Sequence, residues 1–126
     1  MRKISTDKVA KSDKILSQAI ESNGLVFVSG QIHAGEDWQF IQGSAKEKFA
    51  VCMRNIETIL HEASSSLDRI VKLTVYTTDM SLIPEINEEY AGYFSDILPA
   101  REAIGVSSLP LGADIEVVVV AEVGNE

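Results

Sequence analysis

A β-sheet with two helices laid on one of its faces, an α+β arrangement, is the architecture this sequence predicts. Three features predict it. Two stretches carry apolar residues at helical spacing, other stretches alternate apolar and polar residues, and the final strand is apolar on both sides. The chain has 126 residues, the usual size of one domain, with 45% hydrophobic residues to fill a core and 24% charged residues to solvate a surface. Aromatic residues make up only 6%, so the core is expected to be mainly Val, Ile, Leu and Ala. One domain over residues 1–126 is expected, with residues 1–14 partly flexible.

Ala19-Ile20, then Asn23-Gly24, then Leu25 to Val28 reads as a β-hairpin, because Asn-Gly supplies the positive φ angles of a tight turn. Leu25 to Ile32 reads as a strand ending in a Ser29-Gly30 turn, and the polar, glycine-bounded stretch Gly35 to Gly43 reads as a loop. Ser44-Ala45-Lys46-Glu47 fits a capping box, in which serine and glutamate satisfy each other's free backbone N–H groups. Phe49, Cys52, Met53, Ile56, Ile59, Leu60 and Ala63 then form one buried helical stripe, ended by Ser64-Ser65-Ser66. Val71, Leu73, Val75 and Thr77 are the inward residues of a half-buried strand. Ser81 is the expected cap of a second helix, which tolerates Pro84 in its first turn and turns Ile83, Ile86, Tyr90 and Phe94 inward. Ala103 to Val106 is a short strand and Ile115 to Val123 a long one. Because Val117 to Val120 are apolar on both faces, the face away from the helices needs a cover that two helices cannot supply, and a partner subunit follows.

Composition narrows the function. No apolar run reaches the roughly 20 residues that span a bilayer, and the basic start, Met1 to Asp7, lacks the apolar block of a secretory signal. Cys52 is the single cysteine, read as a buried helical residue, so a reducing cytoplasm is expected. The formal net charge is −8, and the basic residues are scattered apart from Lys3, Lys8, Lys11 and Lys14, which argues against a nucleic-acid surface. His33 and His61 have no ligand-spaced acid or cysteine, so no metal is expected, and no phosphate loop or nucleophile triad is visible. Trp38 lies in the loop after the hairpin, packed on a neighbour or lining a cleft.

Leu98-Pro99-Ala100-Arg101 and Leu109-Pro110-Leu111-Gly112-Ala113-Asp114-Ile115-Glu116 set an arginine and a carboxylate into the same β-rich C-terminal region. Arginine offers a planar fork that grips a small carboxylate by two parallel hydrogen bonds; a glutamate can hold or deprotonate a water. Arg101 is otherwise a surface or interface arginine paired with Glu102 or Asp96, and Glu116 an outward strand residue. Together with Val28-Ser29-Gly30-Gln31 and Asn87 in Ile86-Asn87-Glu88, these segments resemble the YjgF/RidA family in order and spacing from about Ser17 to Val123.

That resemblance implies a chorismate-mutase-like α+β fold, a mixed sheet with two helices on one face, trimeric around a central barrel, with ligand clefts between subunits. It implies hydrolysis of small 2-imino or enamine acids to 2-oxo acids and ammonia, without a cofactor. Arg101 would bind the carboxylate and Glu116 would position the water. Ser29, Gly30, Asn87 and the backbone around Ala103 would line the cleft. Two departures stand out: the family's Gly-Pro-Tyr is Lys14-Ile15-Leu16 here, which exchanges a tyrosine hydroxyl for an apolar wall, and Ala103 stands where cysteine is frequent. The alternatives are a 2-oxo-acid-binding or regulatory trimer without turnover, which Leu16 favours, and an endoribonuclease, which rests on a family label alone.

Overall fold

The computed structural model describes residues 1–124, in which six strands form a single sheet and two α-helices cover one face. Strands β1 (Arg2–Ile4), β2 (Ala19–Ser22), β3 (Leu25–Ile32), β4 (Ile70–Thr77), β5 (Ala100–Gly105) and β6 (Ile115–Glu122) lie in the order β1-β2-β3-β6-β4-β5. Every pairing is antiparallel except β4 with β5. A parallel pair needs a crossover, and helix α2 (Ile83–Tyr90) provides it. Helix α1 (Ala45–Glu62) lies across β3 and β6 with α2 beside it.

The local signals act as their chemistry dictates. Asn23 and Gly24 adopt φ of 52° and 80° in the β2–β3 turn. At the start of α1 the Ser44 Oγ accepts from the Glu47 N–H at 3.2 Å, and the Glu47 carboxylate accepts from the Ser44 N–H at 2.9 Å. The stripe from Phe49 to Ala63 is fully buried against Val26 and Val28 of β3, Leu73 and Val75 of β4, and Ile115, Val117, Val119 and Ala121 of β6. Cys52 sits inside this core, and burial pushes its thiol pKa up, so it behaves as a small apolar residue.

Tertiary contacts override the sequence pattern in several places. Residues 1–14, expected to be partly flexible, begin with β1 on the sheet edge and bury Ile4, Thr6 and Val9. Their anchor is the buried Gln18 amide: its carbonyl accepts from the Thr6 N–H, and its Nε2 donates to the carbonyls of Thr6, Val9 and Ala10. Ser29 and Gly30 do not end β3; they form a bulge opposite Val118, after which the strand resumes. A second irregularity between Ile70 and Lys72 turns Ile70 inward and leaves Val71 exposed, although alternation predicted the reverse. Asp79, rather than Ser81, caps the turn leading into α2, and accepts from both the Ser81 N–H and hydroxyl. Strand β5 starts at Ala100, three residues earlier than its hydrophobic pattern suggested, because pairing with β4 extends it through Arg101.

The other sheet face is uncovered and apolar. Phe27 and Ile104 are 46% and 38% exposed there, beside half-buried Tyr76, Val118 and Val120. A patch of this kind on a two-layer domain marks an interaction surface.

His33, on the loop after β3, is buried and stacks on Phe40 at 4.9 Å. Its Nε2 accepts from the Asp114 N–H at 3.0 Å, so the ring is the neutral tautomer whose Nδ1–H donates to the Ile41 carbonyl. Burial is the largest cause holding its pKa below the ordinary histidine value. The unfolded chain therefore takes up the proton at higher pH than the fold does. The stabilisation is complete above about pH 6.5 and declines as pH falls below it. Chemical denaturation of wild type and His33→Gln between pH 5 and 7.5 is expected to show a shallower loss in the variant; equal slopes would refute the assignment.

Candidate functional site

Glu116 is the residue of β6 that leaves the core. Its neighbours Ile115 and Val117 are fully buried, and alternation turns Glu116 to the opposite face, paired with Tyr76 of β4. The β3 bulge brings Gly30 against it: a Cβ built on Gly30 would meet the Glu116 Oε2 at 2.5 Å and Cδ at 2.7 Å. Glycine thus opens the niche that the carboxylate fills. Glu116 forms no ion pair among the described residues, and burial raises its pKa above the ordinary carboxylate value. A carboxylate desolvated in this way is a better proton acceptor than a solvated one.

Ser29 works differently from the expectation of a free ligand contact. Its hydroxyl donates to the Ser17 carbonyl at 2.6 Å and its N–H to the Gln18 carbonyl at 2.9 Å, fastening residues 16–18 beside the bulge. Leu16 directly precedes this anchored pair, with its side chain 42% exposed.

Arg101 stands on the edge strand β5 in register with Leu73, whose side chain points to the helices. Its guanidinium covers the ring of Tyr90 on α2, with Cζ 4.4 Å from the ring centre. The acids expected as its alternative partners are not used. Glu102 alternates to the other face, where it pairs with Lys72 at 3.0 Å and accepts from the Thr74 hydroxyl at 3.2 Å, and Asp96 makes no ion pair among the described residues. The Arg101 guanidinium thus has no acid partner among the described residues. Ala103 lies two residues along on the same face, and Asn87 is exposed one turn before Tyr90. The Tyr90 ring beneath Arg101 is the contact that the sequence did not reveal. Its spacing announced burial in α2, but the crossover decides that β5 brings a guanidinium over it.

The register separates these residues into two half-sites. Leu73 pairs with Arg101 and Val119, on the helix face; Tyr76 pairs with Glu116 and Ile104, on the uncovered face. Arg101, Ala103, Tyr90 and Asn87 lie on the β5–α2 side, while Leu16, Ser29, Gly30 and Glu116 gather on the β3–β6 side. One chain by itself does not bring Arg101 to Glu116.

Gly30→Ala is expected to fold with nearly unchanged stability, since Gly30 has an ordinary φ and its new methyl meets only the movable end of Glu116. The displaced carboxylate should titrate closer to the ordinary value of about 4.3, read by carboxyl NMR; an unaltered titration would show that Gly30 does not shape this niche. The Tyr90 hydroxyl is buried without a hydrogen-bond partner among the described residues. Tyr90→Phe should therefore raise stability by about 1 kcal/mol, measured by denaturation, because an orphaned buried polar group is costly.

Residues 8–123 match the protein family described as Endoribonuclease L-PSP. The chain is 42% identical over 118 residues to "Protein MMF1, mitochondrial" of Saccharomyces cerevisiae, spanning 94% of this chain and 81% of that protein. It is 40% identical over 123 residues to a RutC family protein of Aquifex aeolicus, spanning 96% and 98%. The crystal structure of yeast Mmf1 superposes with a TM-score of 0.93 at 41% identity, and RidA from an Antarctic Psychrobacter with 0.91 at 29%, covering 98% of this chain in both cases and 98% and 100% of those chains. Matched along nearly its whole length in sequence and in fold, this chain belongs to the YjgF/RidA family of endoribonuclease L-PSP domains.

Proposed function

We propose that this protein is a homotrimeric deaminase that hydrolyses small 2-imino and enamine acids to 2-oxo acids and ammonia. The observation that carries this reading is the pair of half-sites on opposite sheet faces, one holding a cation without an acid partner and the other a desolvated carboxylate. In a closed ring of copies the β5 edge of one would meet the uncovered face of the next, which would bury Phe27, Val118 and Val120 and would join the Arg101 half of one copy to the Glu116 half of the next.

In such a cleft Arg101 binds the substrate carboxylate through its fork, backed by Tyr90. Strand β5 is a sheet edge, so alternate N–H and C=O groups around Ala103 face outward and are free to hydrogen-bond the imine end. Glu116 takes one proton from water as the water oxygen bonds to the C=N carbon, and passes it to the nitrogen to give a neutral carbinolamine. Glu116 then takes the hydroxyl proton and delivers it to the amino nitrogen, so that the C–N bond breaks, the C=O of the 2-oxo acid forms and ammonia leaves. The C=N carbon is already electrophilic, so positioning and proton handling suffice and no cofactor is required.

A second reading, a trimer that binds 2-oxo acids without turnover, is favoured by Leu16 in place of a hydroxyl-bearing side chain and by the Ser29 hydroxyl being spent on Ser17. The net charge of −8 weighs against RNA as substrate. Among the described residues no helix is long and apolar enough to cross a membrane, and we place the activity in the cytoplasm.

Freshly generated 2-iminopropanoate is the test substrate. Arg101→Ala should keep its oligomeric state and lose roughly ten- to hundredfold in kcat/KM, the value of a charge-assisted contact, with Lys a poor substitute for the fork. Wild-type turnover by the alanine variant would overturn the role of Arg101. Analytical ultracentrifugation at micromolar concentration is expected to give a trimer, and a stable monomer would dissolve the proposed cleft.

A further inference from the structure

An open groove of about 520 Å³ is lined by Ser12, Ile15, Leu16, Trp38, Pro110 and Leu111. None of these side chains is charged, in a chain whose surface is otherwise strongly acidic. Leu16 connects the groove to the site: the adjoining Ser17 carbonyl accepts from Ser29, and Gly30 follows against the Glu116 carboxylate. The backbone is strained at the same place. Four non-glycine residues among those described have positive φ; Asn23 and Ser64 serve the hairpin turn and the end of α1, while Trp38 (68°) and Leu111 (58°) both face this groove. Leucine and tryptophan rarely adopt this conformation, and strain of this kind collects at binding sites. Both side chains are nevertheless held open to solvent, Leu111 at 66% and Trp38 at 39% exposed, with the Trp38 Nε1 fixed on the Lys11 carbonyl at 3.2 Å.

We infer that this groove is the side-chain subsite of the cleft and that it selects 2-imino acids with branched aliphatic or aromatic side chains over the methyl-bearing ones. The inference rests on the deaminase reading above and adds the substrate class to it. The occupant follows from position and chemistry. A substrate with its C=N carbon at Glu116 and its side chain on the Leu16 side would meet an uncharged wall, which accepts hydrocarbon and offers nothing to a second carboxylate. A groove of about 520 Å³ has room for a branched aliphatic or aromatic side chain. On this view Leu16 in place of tyrosine is part of the specificity rather than a damaged catalytic position.

The experiment compares imines generated in situ from alanine, leucine and phenylalanine on the intact oligomer, together with the binding of pyruvate, 4-methyl-2-oxopentanoate and phenylpyruvate by calorimetry. Wild type is expected to favour the leucine- and phenylalanine-derived imines by at least tenfold in kcat/KM. Leu111→Gly relieves the positive φ and removes an exposed side chain, so its thermal midpoint should hold or rise, while its preference falls about tenfold. Leu16→Ser should lower the same ratio. Equal kcat/KM for all three imines, unchanged by both variants, would overturn the subsite and leave the deaminase reading standing. Without turnover, tighter binding of the larger 2-oxo acids that weakens in Leu111→Gly keeps the subsite and overturns catalysis. Failure to bind any of the acids overturns both. Dissociation of the oligomer in Leu111→Gly would instead assign the groove to contact between copies and overturn the inference.

Discussion

Strand β6 is clamped between β3 and β4, and its register against both governs the rest of the molecule. Ile115, Val117, Val119 and Ala121 must face the helices, because α1 has no other surface on which to bury its stripe. Once those positions are fixed, the period of two sends Glu116, Val118 and Val120 to the other side. Glu116 then occupies a half-buried position among apolar neighbours. That costs a carboxylate part of its hydration and raises its pKa. The bulge at Ser29 and Gly30 makes the placement possible, since an unbroken β3 bearing a side chain at position 30 would collide with the carboxylate. One backbone irregularity therefore sets a strand's register and a reactive group's environment together.

The same economy appears around the edges of the sheet. The Gln18 amide gathers the carbonyls of Thr6, Val9 and Ala10, which places Lys11 and Ser12 where Trp38 and Leu16 meet them. His33 joins the Ile41 carbonyl to the Asp114 N–H and so ties the loop after β3 to the entry of β6, where the Lys48–Asp114 ion pair adds a second tie to α1. Buried side-chain bonds to backbone take the role that regular ladders play elsewhere, and they do so on the side of the molecule that carries Glu116. On the opposite side Arg101 is steadied by the face of an aromatic ring instead of an acid. A carboxylate partner would have neutralised the guanidinium, whereas the ring restrains it and leaves its charge uncompensated.

Much of this was legible in the residues. The Asn23-Gly24 turn, the Ser44–Glu47 capping box and the helical stripe from Phe49 to Ala63 are local signals, decided by φ preferences and spacing that neighbouring elements do not alter. The double-sided apolarity of β6 likewise announced an uncovered sheet face. Where the pattern misled, a non-local pairing had overruled it: Val71 turned outward at a bulge, β5 was lengthened through Arg101 by β4, and the N-terminal residues were fastened by a glutamine twelve residues from Thr6.

By itself, then, the sequence determined which segments are helix or strand, which faces are apolar, and that Arg101, Glu116, Ser29, Gly30, Asn87, Leu16 and Ala103 occur in the order and spacing of the YjgF/RidA family. Tertiary structure alone decided what those residues meet. That Gly30 makes room for Glu116, that Tyr90 lies beneath Arg101, and that Arg101 and Glu116 stand on opposite faces are consequences of strand order and register. Order and register depend on pairing free energies summed over residues far apart in the chain, and a window of sequence long enough to specify a helix carries no record of that sum.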